Sequence, residues 1–302
     1  MITRSQYKNI TWIDVASPTL DEVREIVAEV NIPSEFAGDL GVMVPHSESF
    51  AKKGVLKLTL DFPVVHRTDM KQPHEIKFIV TNKFLVTFHY EEMEALHRFS
   101  KEFEVRCMLQ NGKPTNPPRL FVSLLNHLYE SMYLKLDHLE ARLHEVEEGI
   151  FSAREREMVF EISDLTRRLI AFRQVLSAHD DALEDLDKHL QTAFGAKLVP
   201  FVAEFEQHHE HLSRRLRALT SVVDDLHNTN LALLSTKENE IMKLLTILAF
   251  VTYPLTLFTS TFGMNTINTP IVGHRFDFWV IVGIMAVVSV CFFAFFRYKK
   301  WL

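Results

Sequence analysis

Apolar and polar residues follow three rhythms along this chain, and each rhythm marks a different region. In the first hundred residues the period is that of strands. Ile10–Val15 alternates, and Val55–Leu60 reads as a strand. Glu75–Val80 and Phe84–Phe88 are two further strands, joined as a hairpin by Thr81-Asn82-Lys83. Ser17-Pro18 reads as an N-cap followed by proline at the first helical position, opening a helix to about Val30. Glu91–Gln110 reads as a second helix. Asn111-Gly112-Lys113-Pro114 and Pro117-Pro118 then break the chain. Residues 1–118 are therefore expected to form an α/β domain.

From Arg119 to Leu190 the period becomes helical and the composition rich in Leu, Glu and Arg. Glu148-Gly149-Ile150-Phe151-Ser152 interrupts the run, so residues 119–195 are expected to form an antiparallel helix pair. Its acidic residues Asp180, Asp181, Glu184, Asp185 and Asp187 suit a solvated face, or a field that gathers cations. Ala193–Pro200 marks another turn. Beyond it no glycine or proline occurs until Pro254. Phe205, Leu212, Leu216, Leu219, Val223, Leu226 and Leu233 recur at steps of four and three, with His209 and Asn230 as polar interruptions. That is a coiled-coil-like seam on a stalk helix over 196–243, and it offers a surface for self-assembly. Continued through the next apolar run, this helix is roughly 90 Å long at about 1.5 Å per residue.

The third rhythm is unbroken apolarity. No charged side chain stands between Lys243 and His274, and Phe278–Phe296 is also uncharged. Each run is long enough to cross the hydrocarbon of a bilayer. The first transmembrane helix is placed at 244–265, a loop at 266–276, and the second helix with a basic tail at 277–302. Lys237 and Lys243 precede the first span, and Arg297, Lys299 and Lys300 follow the second, while the loop holds only Arg275. The positive-inside rule puts both termini in the cytosol.

Composition narrows the class. The hydrophobic fraction of 47% divides between a charge-rich front and an apolar end, so the chain reads as an α+β membrane protein. Two cysteines, Cys107 and Cys291, give no disulfide framework and suit a reducing compartment. The start MITRSQYKNITWIDV has no apolar core of a secretory signal. A formal charge of -6 argues against nucleic acid as partner. No Walker, Gly-x-Ser-x-Gly or His-Glu-x-x-His pattern is present, so neither an ATP-driven pump nor a hydrolase is favoured, and no cofactor is implied.

The two spans differ in chemistry. The first carries Thr246, Thr252, Thr256, Thr259, Ser260 and Thr261, whereas Ser289 is the only hydroxyl of the second. On helical spacing Asn239, Met242, Leu245, Thr246, Ala249, Tyr253, Thr256, Ser260 and Gly263 fall near one stripe. Two readings stand. The stripe faces a pore, or its hydroxyls bond to their own helix and to neighbouring helices. One pore-lining helix per chain cannot enclose a channel, so a pore needs several copies around an axis. Pro254 is expected to bend this span, as a hinge or simply as a shape.

The segments Glu238-Asn239-Glu240-Ile241-Met242-Lys243-Leu244-Leu245-Thr246, Tyr253-Pro254-Leu255-Thr256, Gly263-Met264-Asn265 and Tyr298-Lys299-Lys300-Trp301-Leu302 stand in that order around the two spans. Together they resemble the CorA family of magnesium and divalent metal ion transporters. The close match covers about 230–302, and the earlier part agrees in layout. The resemblance implies a funnel-shaped homo-oligomer, a homopentamer, in a cell inner membrane. It implies passage of Mg2+ or Co2+ with Gly263, Met264 and Asn265 as selectivity filter. Asn239, Met242 and Leu245 would form a pore ring and an apolar gate.

Magnesium sheds its water reluctantly, so neutral oxygens such as the Asn265 amide can hold it hydrated. For regulatory metal the resemblance points to the stalk, where Glu204, His208, Asp224 and Asp225 are the candidates. Glu204 and His208 stand at i,i+4, next to His209 and His211. Imidazole with carboxylate suits zinc, nickel or cobalt, and a solvated polar helix end is the alternative.

The loop Thr266-Ile267-Asn268-Thr269-Pro270-Ile271-Val272-Gly273 departs from the family's magnesium branch, which carries an acidic Met-Pro-Glu there. A ZntB-like zinc transporter, proton-coupled or not, therefore stays open. So does a membrane-anchored sensor or scaffold.

Overall fold

In the computed structural model, residues 1–7, 10–43, 47–63, 73–108, 116–195, 199–264, 271, 273 and 275–299 are described, with backbone alone at 7, 106–108, 199–202, 204 and 205. The chain divides into two compact units, Met1–His227 and Asn228–Leu302.

The first unit is built on a six-stranded sheet of β1 (Ile2–Tyr7), β2 (Ile10–Ala16), β3 (Glu48–Lys52), β4 (Val55–Phe62), β5 (His74–Val80) and β6 (Phe84–His89). Their order is β1-β2-β6-β5-β4-β3. Every neighbouring pair is antiparallel except β2 and β6. The β5–β6 hairpin is fixed by Thr81, whose hydroxyl accepts from the Phe84 amide at 2.9 Å, setting the register Val80↔Leu85. The β3–β4 hairpin turns on Lys53 and Gly54, both at positive φ (51° and 76°), the geometry of a tight turn that matches strand twist.

One face of the sheet is covered by α1 (Leu20–Val30) and α2 (Ser34–Ala37), whose Val23, Ile26, Val30 and Phe36 join Ile13, Val15, Ile79, Val86 and Phe88 in one apolar cluster. The cap of α1 is Thr19, not Ser17. Thr19 and Glu22 form a reciprocal capping box. Ser17 stands before it at φ 47° and donates its hydroxyl to the Tyr90 carbonyl at 2.9 Å.

The opposite face is covered by α3 (Glu94–Met108), α4 (Pro117–Phe151), α5 (Glu155–Glu184) and α6 (Leu186–Phe194). Trp12 meets Phe99 and Phe103 edge-on at 5.6 and 5.9 Å between ring centroids, and Phe78 meets Phe121 at 5.5 Å. With helices on both faces, β4 is buried at six consecutive positions, with Lys57 and Thr59 among them. The charged helix pair, α4 and α5, is thus a layer of the same unit as the sheet rather than a separate domain over 119–195. Its acidic residues Asp180, Asp181, Glu184 and Asp185 point to solvent.

α7 runs from Val199 to Phe262 with Pro254 inside it, and α8 from Asp277 to Tyr298. Both are long and apolar enough to cross a membrane. Within the first unit the seam of α7 is already used. Leu212, Leu216, Leu219, Val223 and Leu226 are between 0% and 8% exposed in a single chain. The surrounding contacts come from the chain's own α4 and α5: His209 bonds to Leu176, and Arg215 pairs with Asp137 and Glu140. The seam over these residues is therefore core, and not the self-assembly surface that its spacing suggested.

Candidate functional site

The stripe predicted on the first apolar span lies in the second unit, on α7. Ile247 is buried, and Val251, Pro254, Leu255, Phe258 and Phe262 are half-buried. These six positions fall within about 100° of one another around the helix and define one face. Phe250 meets Phe296 of α8 at 6.3 Å between ring centroids, and Phe296 is buried. At about 100° per residue, Asn239, Met242, Leu245, Tyr253, Thr256, Ser260 and Gly263 fall on the opposite side. All seven are exposed in the single chain, with Thr246 and Ala249 half-buried on the same side. Met264 is exposed beyond the helix end, and Asn265 lies outside the described residues, as do 266–270.

The threonines of this span use their protons locally. Thr246 donates to the Met242 carbonyl at 2.7 Å, Thr252 to Leu248 at 2.9 Å, Thr256 to Thr252 at 2.9 Å and Thr261 to Leu257 at 2.8 Å. Thr259 donates to Leu255 at 3.1 Å and Thr256 at 2.9 Å. The back-bonding reading of these hydroxyls therefore holds for each of them. It does not remove them from pore chemistry, because a hydroxyl that has given its proton away keeps oxygen lone pairs as acceptors. The outer face of a hydrated cation is made of water hydrogens, and acceptors are what it needs.

Gly263 closes the helix, donating its amide to the Thr259 carbonyl at 2.9 Å. A Cβ added at Gly263 would sit 2.9 Å from that same oxygen, so glycine is required for the turn to close this tightly.

Among the four residues considered for regulatory metal, His208 is half-buried on the face of α7 next to Tyr133. The Glu204 side chain lies outside the described residues, and Asp224 and Asp225 are exposed. Sixteen residues of helix, about 24 Å, separate His208 from Asp224. The His208 ring lies against Tyr133, whose hydroxyl donates to the His208 carbonyl at 3.1 Å. Among the described residues no three of His, Cys, Asp or Glu are grouped so as to hold a metal ion.

Two polar clusters escaped the sequence reading. In one, His179 is fully buried. Its Nε2 faces the Asp61 carbonyl at 2.6 Å and its Nδ1 faces the Tyr129 hydroxyl at 2.9 Å. Burial pushes His179 down to about 4, so the ring is neutral, with the proton on Nε2. In the other, His89 Nε2 lies 3.3 Å from the Asp14 carboxylate and Nδ1 lies 2.7 Å from the Glu91 carbonyl. Both partners are acceptors, so this setting favours the doubly protonated ring. Although burial opposes that charge, Asp14 and the carbonyl outweigh it, and the His89 pKa is raised. No signal in the local sequence links these residues, which lie 50 or more positions apart apart from the His89–Glu91 pair.

Two uncharged runs of membrane-crossing length, one in α7 and one in α8, follow the α/β unit in the chain, the layout of a two-span membrane protein. The chain belongs to the CorA-like Mg2+ transporter protein family, whose profile matches residues 7–300. It is 26% identical over 183 residues to the cobalt/magnesium transport protein CorA of Thermotoga maritima, a stretch covering 61% of this chain and about half (52%) of that protein. Its fold matches the complete CorA magnesium transporter of Methanocaldococcus jannaschii with a TM-score of 0.84 at 20% identity, covering 99% of this chain and 94% of that one. The ZntB cytoplasmic domain of Vibrio parahaemolyticus matches at a TM-score of 0.55 and 11% identity, over 77% of this chain and 88% of that domain.

Proposed function

We propose that this chain forms a channel-type transporter for hydrated Mg2+, and also Co2+, with five copies around one axis and the α7 stripe lining the path. The observation that carries this reading is the placement of the stripe. Asn239, Met242, Leu245, Tyr253, Thr256, Ser260 and Gly263 are exposed on the side of α7 opposite the buried Ile247. Family membership and the names of the relatives support the cargo. Gly263, Met264 and Asn265 form the filter, where neutral oxygens hold the ion by its water shell without trapping it. Met242 and Leu245 form an apolar constriction, with Asn239 below it. The protein sits in the inner membrane with both termini in the cytosol, and the membrane potential drives entry at about 2.3 kcal/mol per charge per 100 mV.

Flux into proteoliposomes, compared across Mg2+, Co2+ and Zn2+, tests the reading. Mg2+ and Co2+ are expected to pass, and Asn265→Ala is expected to abolish the signal. Equal flux in that variant refutes the filter.

A second reading, zinc transport, rests on the loop 266–273, which holds no carboxylate. Zn2+ flux above Mg2+ flux, stimulated by an inward pH gradient, is its signature.

A further inference from the structure

Between 209 and 226 the face of α7 packed into the first unit is apolar except at one position. Leu212, Leu216, Leu219, Val223 and Leu226 repeat at steps of four and three, and His209 opens the same series three residues before Leu212. A seam of leucines has no directional bond. Sliding or rotating the helix places one leucine where another was, at little cost in buried area. Polar residues at such seams fix register because their partner exists at one setting only.

His209 meets that description. It is 8% exposed, and its Nε2–H donates to the Leu176 carbonyl of α5 at 2.9 Å. Its ring is walled by Tyr129 of α4 at 6.5 Å and His179 of α5 at 6.3 Å between centroids. Nδ1 lies 3.5 Å from the carboxylate of Asp180. The walls are themselves fixed, since His179 is tied to the Asp61 carbonyl and to Tyr129. A slip of one residue moves the donor about 1.5 Å along the axis and turns it about 100°, out of reach of Leu176. Arg215, paired with Asp137 and Glu140, is the other strong polar contact of this stretch, but it is 30% exposed on a long arm. Such a pair follows a shifted helix and contributes little selectivity.

We propose that His209 is a positioning residue that pins the register of α7 against α4 and α5 of the first unit. That a change of register also changes flux rests on the pore reading above; the pin itself does not.

The test uses the full-length assembly with Cys107 and Cys291 replaced by alanine. Register is read by cross-linking with a short bismaleimide. The native-register pair is Asp137→Cys with Arg215→Cys, and the pair one turn away is Asp137→Cys with His211→Cys. The parent is expected to favour the native pair. His209→Leu is expected to lower that preference about fivefold, the factor that one net buried hydrogen bond supplies, and His209→Gln, which keeps a donor, to restore it. Mg2+ flux without the added cysteines is expected to fall in His209→Leu and return in His209→Gln. If His209→Leu does not assemble, His209→Met takes its place. An unchanged cross-linking preference in the assembled variant overturns the pin. A lost preference with unchanged flux overturns the positioning role. A preference that responds as expected in a protein passing none of Mg2+, Co2+ and Zn2+ upholds the pin and removes the transport reading.

Discussion

The Nε2–H of His179 on α5 donates to the carbonyl oxygen of Asp61, near the end of β4, across 2.6 Å. With Nε2 committed as donor, Nδ1 is left as the acceptor for the Tyr129 hydroxyl on α4 at 2.9 Å. The sheet, α4 and α5 thus meet at one neutral ring. Tyr129→Phe keeps the shape and removes the donor, leaving a buried nitrogen without it. Unfolding of the purified protein is expected to show a loss of about 1–3 kcal/mol. An unchanged midpoint with an intact His179 environment contradicts the assignment.

Two of the buried histidines, His179 and His89, give stability opposite slopes on the two sides of neutrality. His179 is held at about 4 in the fold against an ordinary 6.5. Between those values the unfolded chain takes a proton that the fold refuses, so stability falls as pH drops from 6.5 towards 4. His89 is raised above 6.5 by Asp14 and the Glu91 carbonyl. Above 6.5 the fold keeps a proton that the unfolded chain releases, and stability falls as pH rises through the folded value. Histidine-resolved NMR titration is expected to find one ring neutral throughout the physiological range and one titrating late. Asp14→Asn is expected to bring the late one down.

Lys77 on β5 is 0% exposed and donates to the Asp39 carbonyl at 2.5 Å and to the Val42 carbonyl, with the Glu75 carboxylate 3.1 Å away. It holds the stretch after α2 onto the sheet. Lys77→Met removes the ammonium from beside Glu75 and strips the two carbonyls of their donor. The expected loss is about 3–5 kcal/mol, the range for breaking a buried charged pair on one side. Chemical denaturation reads it, and a change under about 1 kcal/mol argues against the network as described.

Gly263→Ala tests the closure of α7. The new methyl meets the Thr259 oxygen at 2.9 Å and opens the last turn just before Met264. Ion flux per assembled protein is expected to fall about tenfold or more, as misplaced groups at tight sites do. The unfolding midpoint of the first unit is expected to stay put. Wild-type flux in this variant shows that the glycine is there for folding only.

Much of this architecture was legible in local pattern. The β4, β5 and β6 strands, the Thr81 hairpin, the break at Phe151 and both uncharged helices follow from period, turn residues and absence of charge, all of which act over a few residues. The edge strands β1 and β3 were not. Ile-Thr-Arg-Ser-Gln-Tyr carries little apolar alternation because one side of an edge strand needs none. The Lys53-Gly54 turn lacks the Asn-Gly or Asp-Gly signature of its type. Thr19 is quiet as a cap in the sequence because the serine-proline pair before it gives the louder signal.

What the sequence by itself determined is the stripe on α7, since positions sharing a helix face are related by helical geometry alone. Tertiary structure decided what those faces meet. A seam spaced for self-association became core because α4 and α5 fold back to cover it. Trp12 found Thr87 from 75 residues away, and His179 found Asp61 from 118. Hydrogen bonds between distant residues form only once the chain has paid for closing the loop between them, and nothing at either end records the partner's place.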